Sequence, residues 1–299
     1  MLQSRIQKST HLAMDWLWGC RNVDYGWADH AVGPSAASNT CEIITGMQRC
    51  GLTYESPVVK ESVGYVVKQL QDLGRNIVKE TRNLSLPIVL LGDLGLKKKG
   101  LGLEGGIELL KKYQRSEGGW PLRPQEETCN AFDTSFAIRA LHPHDGYSKE
   151  MNQATSYLVK QQNNDGGWGF YHGNPSNPAC TAHVLLGLLE ADLGVYPEVM
   201  KKAAIYLSEK QLSDGSWEIC WEEDPMHNHD KWFHFTTPWA TIALSNNKIS
   251  APISRIRRAI EILIRSQEET GGWRVLEGYD PFTWATGNAL MALSIWFKP

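Results

Sequence analysis

Gln162-Asn163-Asn164-Asp165-Gly166-Gly167-Trp168 and Gln211-Leu212-Ser213-Asp214-Gly215-Ser216-Trp217 are two copies of one seven-residue turn. Variants run Gln114 to Trp120, Gln267 to Trp273 and Arg21 to Trp27, so five turns end in tryptophan. Downstream of each lies a second pattern, Thr-x-x-apolar-x-x-small-apolar: Thr40 to Met47, Thr134 to Leu141, Thr181 to Leu188, Thr237 to Leu244 and Thr286 to Leu293, with a less regular copy from Ser85 to Gly92. The anchors at 40, 85, 134, 181, 237 and 286 are 45, 49, 47, 56 and 49 residues apart. Periods of this length mark repeats of one supersecondary unit.

Upstream of five turns the apolar residues follow a helical period, as in Val199, Ala203, Ile205, Leu207 and in Ile256, Ile260, Leu263, Ile264. Outer helices are expected near 2–18, 57–72, 102–115, 149–162, 197–211 and 252–267, and the anchors start inner helices. Ala or Gly at the sixth residue past the anchor, in five of six copies, lets inner helices approach closely. No hairpin can bury its apolar face alone, and closing the array removes its exposed ends. The expectation is one all-α domain over 1–299, an (α/α)6 barrel or toroid of six helical hairpins. The turn residues read as structural: Gly for a left-handed helix end, Asp for backbone hydrogen bonds, Gln to reach the neighbouring turn, Trp to staple adjacent hairpins.

The 299 residues are 42% hydrophobic and 21% charged, and 30 Lys plus Arg against 33 Asp plus Glu leave a net charge of −3. That balance supplies no field to attract nucleic acid. No run approaches the ~20 apolar residues of a membrane span. The first 18 residues lack the uninterrupted apolar stretch of a secretory signal. The six cysteines form no Cys-x-x-Cys pair and read as reduced thiols. These features point to a cytoplasmic protein.

The turns resemble the repeats of the squalene-hopene cyclase and protein prenyltransferase β-subunit superfamily, over nearly the whole chain. The resemblance implies an isoprenoid chain or prenyl diphosphate as substrate, held in a central cavity, with magnesium entering only alongside a diphosphate. Class II terpene cyclases of this superfamily carry Asp-x-Asp-Asp-Thr-Ala at an inner helix start, where the middle aspartate protonates an alkene or epoxide. The matching stretch is Asn130-Ala131-Phe132-Asp133-Thr134-Ser135-Phe136. Phe132 stands at the donor's position and Asn130 at the first aspartate's. The same string is similar to the Ser-Ala-Tyr-Asp-Thr-Ala-Trp signature in the accessory domain of plant diterpene cyclases, whose aspartate is not the donor. Prenyltransferase β-subunits bind zinc through Asp-x-Cys and a His before a later anchor. Cys180 precedes Thr181, but Pro178 and Thr236 occupy the other two positions, so no metal is expected. The family also implies either a partner subunit or peripheral membrane contact that closes the barrel.

With every turn-to-anchor loop at one end, the inner-helix N-termini converge and favour an anion there. The second residue past each anchor should face the cavity: Glu42, Phe136, His183, Trp239 and Asn288. Asn39, Asp133, Cys180, Phe235 and Trp284 should form the rim, with Phe132 beside them. Aromatic faces stabilise carbocations by roughly 0.5–2 kcal/mol each, although rings also simply fill cores. Asp133 is the leading acid candidate, and its alternative role is that of an N-cap. The loop from Trp217 to Thr237 spans 20 residues where the others span 13 or 14. It carries Asp224, His227, His229, Asp230 and His234, as a lid with Asp224 or Asp230 as acid or as a solvated loop. Asp29 with His30, and Tyr171 with His172, are further rim candidates.

The leading function is a terpenoid cyclase of class II type that acts by protonation and cation stabilisation. Two alternatives stay open. One is a lipid- or protein-binding barrel that has lost the acid. The other is a carbohydrate-active lyase or hydrolase, because Gly118-Gly119-Trp120-Pro121 also resembles turns of some pectate lyases.

Overall fold

The computed structural model describes residues 2–72, 79–96, 101–144, 146–191, 196–217, 233–275 and 278–297. Among these, outer helices α1 (Leu2–Gly19), α3 (Pro57–Asp72), α5 (Leu103–Lys112), α7 (Ser148–Gln161), α9 (Pro197–Lys210) and α11 (Ile253–Arg265) alternate with inner helices α2 (Ala37–Arg49), α4 (Thr81–Asp93), α6 (Ala131–Leu141), α8 (Pro178–Ala191), α10 (Phe233–Ser245) and α12 (Thr283–Leu293). The six expected hairpins are present. Inner helices begin three or four residues before their anchors, because the anchor threonine bonds back to the helix start: Thr40, Thr134 and Thr286 donate to the carbonyls of Ala36, Asn130 and Phe282.

Outer helices keep one apolar stripe. In α11 the buried residues are Ile256, Ala259, Ile260 and Leu263, spaced as one face of a 3.6-residue helix. Inner helices are more deeply buried: all eleven residues of α6 are buried, although α2 keeps a partly exposed polar stripe at Ser38, Glu42, Thr45 and Arg49. Arg139 of α6 is neutralised by Glu190, Nε to Oε2 2.8 Å.

The turns are built alike. Each turn tryptophan is wholly buried, and its indole N–H donates to the carbonyl ten residues back in its own outer helix, as Trp168 does to Leu158 at 2.7 Å and Trp217 to Leu207 at 2.7 Å. Its backbone N–H donates to the anchor hydroxyl of its own inner helix, as from Trp168 to Thr181 at 2.9 Å. Tryptophan therefore fastens helices within one hairpin, and the expected staple between hairpins falls to glutamine. Gln162 donates to the Gly166 carbonyl and to Val199 of the next outer helix, both 2.9 Å. Gln114 reaches Glu150 and Gln211 reaches Arg255 in the same way. Asp165 accepts from the Gly167 amide and the Ser176 hydroxyl. Gly166 has φ +87°, and a Cβ there would lie 2.6 Å from the Lys202 carbonyl oxygen. Glycine is thus required twice over, by handedness and by the close approach of the next helix.

The chain divides into two compact units, Met1–Ser62 with Leu207–Pro299, and Val63–Tyr206. In the first, α12 packs between α2 and α10. The first and last repeats meet there: Gln267 donates to the Ser9 carbonyl at 2.9 Å, and Thr283 N–H to the Asp29 carbonyl at 2.8 Å. Gly46 and Gly287 make the α2–α12 approach possible, since a Cβ on Gly46 would lie 2.5 Å from the Gly287 carbonyl oxygen. In the second unit α6 packs between α4 and α8. Two short strands, Trp120–Pro121 and Cys129–Asn130, pair antiparallel and lead into α6.

Candidate functional site

Asp133 is the third residue of α6 and is 1% exposed. It is not the N-cap. Asn130 holds that position, its side chain accepting from the Asp133 amide at 3.0 Å. The reason is spacing: an N-cap side chain reaches the amide three residues on, which here belongs to Asp133 itself. The Asp133 carboxyl is thereby left for another task.

Neither of its oxygens completes a hydrogen bond among the described residues. Burial raises its pKa to about 8, against the pull of the Arg82 guanidinium and amide and with a further push from Glu80 and Glu126. A helix N-terminus lowers a carboxyl's pKa and burial raises it, and here burial prevails. Burial thus favours the protonated carboxyl at neutral pH, while the Arg82 guanidinium attracts the carboxylate that proton release would leave. Arg82 itself pairs with Glu80 at 3.6 Å.

Around this acid the second unit assembles a ring cluster. Phe132 lies 5.2 Å from Phe136, 4.6 Å from His183 and 5.4 Å from Phe170, and Phe136 lies 4.8 Å from His183, all between ring centroids. Burial holds the His183 pKa well below its ordinary value, helped by Arg139 and Arg82, so the imidazole is neutral. Burial, and the negative charge Asp133 would carry, push the Cys180 thiol well up. Cys180 donates to the Gly169 carbonyl at 3.2 Å. The setting is apolar and aromatic, with one acid holding a proton.

Phe170 and Arg82 were not among the sequence candidates. The chain brings Phe170 in because its carbonyl accepts from the Ala131 amide at 2.8 Å, tying the loop after Trp168 to the start of α6. Thr81 is tied likewise to the Leu122 carbonyl at 2.9 Å, which sets the helix start that carries Arg82. Two residues past a turn tryptophan, lying against the preceding inner helix, is the signal that would have found Phe170. Arg82 follows only from the irregular repeat at Ser85.

The first unit holds the other candidates. Phe235 and Trp284 meet edge to face at 5.8 Å, and Phe282 lies 5.5 Å from Trp284 and 4.1 Å from His30. Trp239 is buried, Asn288 is wholly buried, and Glu42 is half-buried. Asn39 donates to Asp29 at 2.7 Å. Tyr171 is partly buried in the second unit, and His172 is exposed and paired with Gln161 at 2.6 Å. Asp224, Asp230, His227 and His229 lie outside the described residues, as does the side chain of His234 in α10. Among the described residues no group of three or more His, Cys, Asp or Glu is placed to hold a metal, and no helix is long and apolar enough to cross a membrane.

No family model matches the chain. Its sequence is similar to a drimenyl diphosphate synthase of Streptomyces showdoensis, 23% identical over 208 residues that cover 66% of this chain and 39% of that protein. It is also similar to a squalene–hopene cyclase of Zymomonas mobilis, 20% identical over 58% of this chain and 32% of that protein. The chain thus spans about two fifths or less of the length of these curated relatives. The fold is that of the type II terpene cyclase MstE of Scytonema, at TM-score 0.72 and 16% identity over 98% of each chain, which is an (α/α)6 fold. MstE has also been solved with geranylgeranyl dihydroxybenzoate as substrate. A glycosidase matches to a similar degree, TM-score 0.73 at 11% identity over 98% of this chain and 97% of that one. The likeness to the squalene-hopene cyclase superfamily, visible in the repeats, holds in both sequence and fold.

Proposed function

We propose that this chain, alike in repeats and fold to the class II terpene cyclases, is a terpenoid cyclase whose acid is Asp133. One observation carries the reading: a wholly buried carboxyl, relieved of capping by Asn130, keeps its proton at neutral pH because burial outweighs the pull of Arg82, on the helix that carries Phe132 and Phe136. Protonating an alkene needs a proton donor shielded from water, and the cation that results needs π-faces rather than a nucleophile. Asp133 delivers its proton to the terminal alkene carbon of an isoprenoid chain, leaving a carboxylate. Arg82 attracts that carboxylate, and the phenylalanine faces take the cationic carbon.

The curated relatives are cyclases of isoprenoid substrates, and MstE acts on a geranylgeranyl compound in a chain that this one spans almost end to end. Both support the same substrate class here. The fold alone is shared with a glycosidase. Glycoside hydrolysis needs two carboxylates roughly 5–10 Å apart. Glu80 and Glu126 do act on Asp133 through charge, but the cluster of Phe132, Phe136 and Phe170 suits a hydrocarbon better than a sugar. The competing view is a lipid-binding barrel, favoured by Phe132 at the position of the family's proton donor.

The test is incubation with farnesyl diphosphate, geranylgeranyl diphosphate and squalene, with products resolved by gas chromatography and mass spectrometry after dephosphorylation. Cyclised product from the wild type and at least about a hundredfold loss in Asp133→Asn are expected, in line with removal of a general acid. Binding of the same compounds with no turnover would establish the lipid-binding view. Undiminished turnover in Asp133→Asn would take the acid away from α6.

A further inference from the structure

Ala131, the first residue of α6, donates its amide to the Phe170 carbonyl at 2.8 Å. The same bond recurs in two other copies: Thr81, first in α4, donates to Leu122 at 2.9 Å, and Thr283, first in α12, donates to Asp29 at 2.8 Å. Each acceptor stands two residues past a turn tryptophan. The fastening is made by the backbone, so the side chain at that position can differ between copies. Leucine and aspartate occupy it elsewhere, whereas here it is a phenylalanine whose ring lies 5.4 Å from that of Phe132. Phe132, Phe136 and His183 are buried, and Phe170 is only partly so. Phe170 therefore stands between the ring cluster and solvent.

The next residue, Tyr171, hydrogen-bonds the Asn130 side chain, the same amide whose oxygen accepts from Asp133. Phe170 and Tyr171 together contact Asn130, Ala131 and Phe132, the residues that lead into Asp133. Their turn is closed by Asn174, whose side chain accepts from the Tyr171 amide at 2.9 Å. Asp133 is also faced by Glu80 and Arg82 at the start of α4, by Glu126, and by the Cys180 thiol of α8.

We infer that Phe170 and Tyr171 are positioning residues that shut water away from Asp133, so that the cation made there closes a ring instead of taking up water. The inference rests on the cyclase reading above and adds what keeps that reaction on course. When Asp133 gives its proton to the terminal alkene, a C–H bond forms and a tertiary cation is left beside a carboxylate. A water molecule at that point would bond through its oxygen and pass a proton back to the carboxylate. The product would be an acyclic tertiary alcohol, with the acid restored. A phenyl ring excludes water and offers the cation a π-face instead of a lone pair.

The test uses Phe170→Ala, Tyr171→Ala and Phe170→Leu in the full chain; each keeps the backbone bond to Ala131. Each is melted by scanning calorimetry from pH 4 to 9, with and without Asp133→Asn, and the difference between the two midpoints isolates the carboxyl. The folded carboxyl holds its proton to higher pH than the unfolded one. The difference therefore grows as pH rises and levels off at the folded value, about 8 in the native chain. In both alanine variants it should level off about one pH unit lower or more, because a wetter carboxyl ionises sooner. Phe170→Leu keeps an apolar cover and should move that point much less. With farnesyl and geranylgeranyl diphosphate, the acyclic alcohol should take a larger share of the product in the alanine variants than in Phe170→Leu or the wild type. A levelling point that stays at its native pH while the midpoints merely fall would overturn the inference and leave the two residues as loop packing. An unchanged share of alcohol would overturn it too. Absence of turnover in the wild type would instead overturn the cyclase reading, and the levelling point alone would then decide whether Phe170 and Tyr171 keep the acid dry.

Discussion

Replacing Asp133 with asparagine should stabilise the protein, by an amount that grows with pH. In the unfolded chain the carboxyl titrates near 3.8, and in the folded chain near 8. Between those values the folded state holds a proton that the unfolded state has released, so raising the pH favours unfolding. The folded state is thus favoured fully below the lower value, loses stability through the window between them, and has lost the whole contribution above about 8. At ~1.4 kcal/mol per pH unit, the three units from 4 to 7 amount to a cost on the order of 4 kcal/mol at pH 7. The amide keeps the shape and does not titrate, so Asp133→Asn escapes this cost. With an unfolding entropy of about 2.1 cal/mol/K per residue, ~4 kcal/mol is a rise of ~6 °C in the thermal midpoint. Scanning calorimetry of both proteins from pH 4 to 9 checks it. The two midpoints should nearly coincide at pH 4, separate through pH 7, and keep a constant separation above about 8. A pH-independent difference, or an Asp133→Asn protein that melts lower at pH 7, would mean that the native carboxyl is ionised and bonded, and the reasoning about its burial would fail.

Two further substitutions test the repeat chemistry. Gly166→Ala should cost more than ~2 kcal/mol and Gly146→Ala only about 1, since both have positive φ but only the former places its Cβ against a backbone oxygen, as the two urea midpoints will show. Gln162→Ala removes donors to two carbonyls and should cost roughly 1–3 kcal/mol in the same assay, whereas replacement of the neighbouring exposed Asn164 should be close to neutral.

The repeat was legible because its logic is local. The spacing of Trp from Thr predicts a hairpin, and Trp168 N–H donates to Thr181 Oγ1 within that hairpin. The outer helix expected at 57–72 is observed over Pro57–Asp72, since an apolar stripe with a proline start is written in adjacent residues. What lay hidden depends on which neighbour a side chain meets. The string around Trp168 suggests that Gln162 reaches onward, yet it offers Trp168 the same part. Only the structure divides them, the indole within its hairpin and the amide on Val199 of the next outer helix. That division follows from the reach of an indole across its own hairpin, and from a glycine that lets the next helix come close enough for an amide.

The site divides along the same line. Placing Asp133 on α6 needed only the anchor, and even its release from capping was written in Asn130-x-x-Asp133, an asparagine three residues before an acid at a helix start. Its protonation was not written there. A carboxyl in the first turn of a helix is ordinarily lowered by the helix dipole, and the sign reverses because all eleven residues of α6 are buried, so that the dipole acts on a group that has lost its water. Burial of that degree comes from α4 and α8 on either side, which no property of residues 130–139 reveals. The same flanking helices bring Arg82 toward Asp133 and His183 against Phe132. The burial that keeps Asp133 protonated, the rings packed on Phe132 and the nearness of the Arg82 guanidinium therefore come from packing between repeats. A repeat copied along one chain can in this way become a site without any copy containing it.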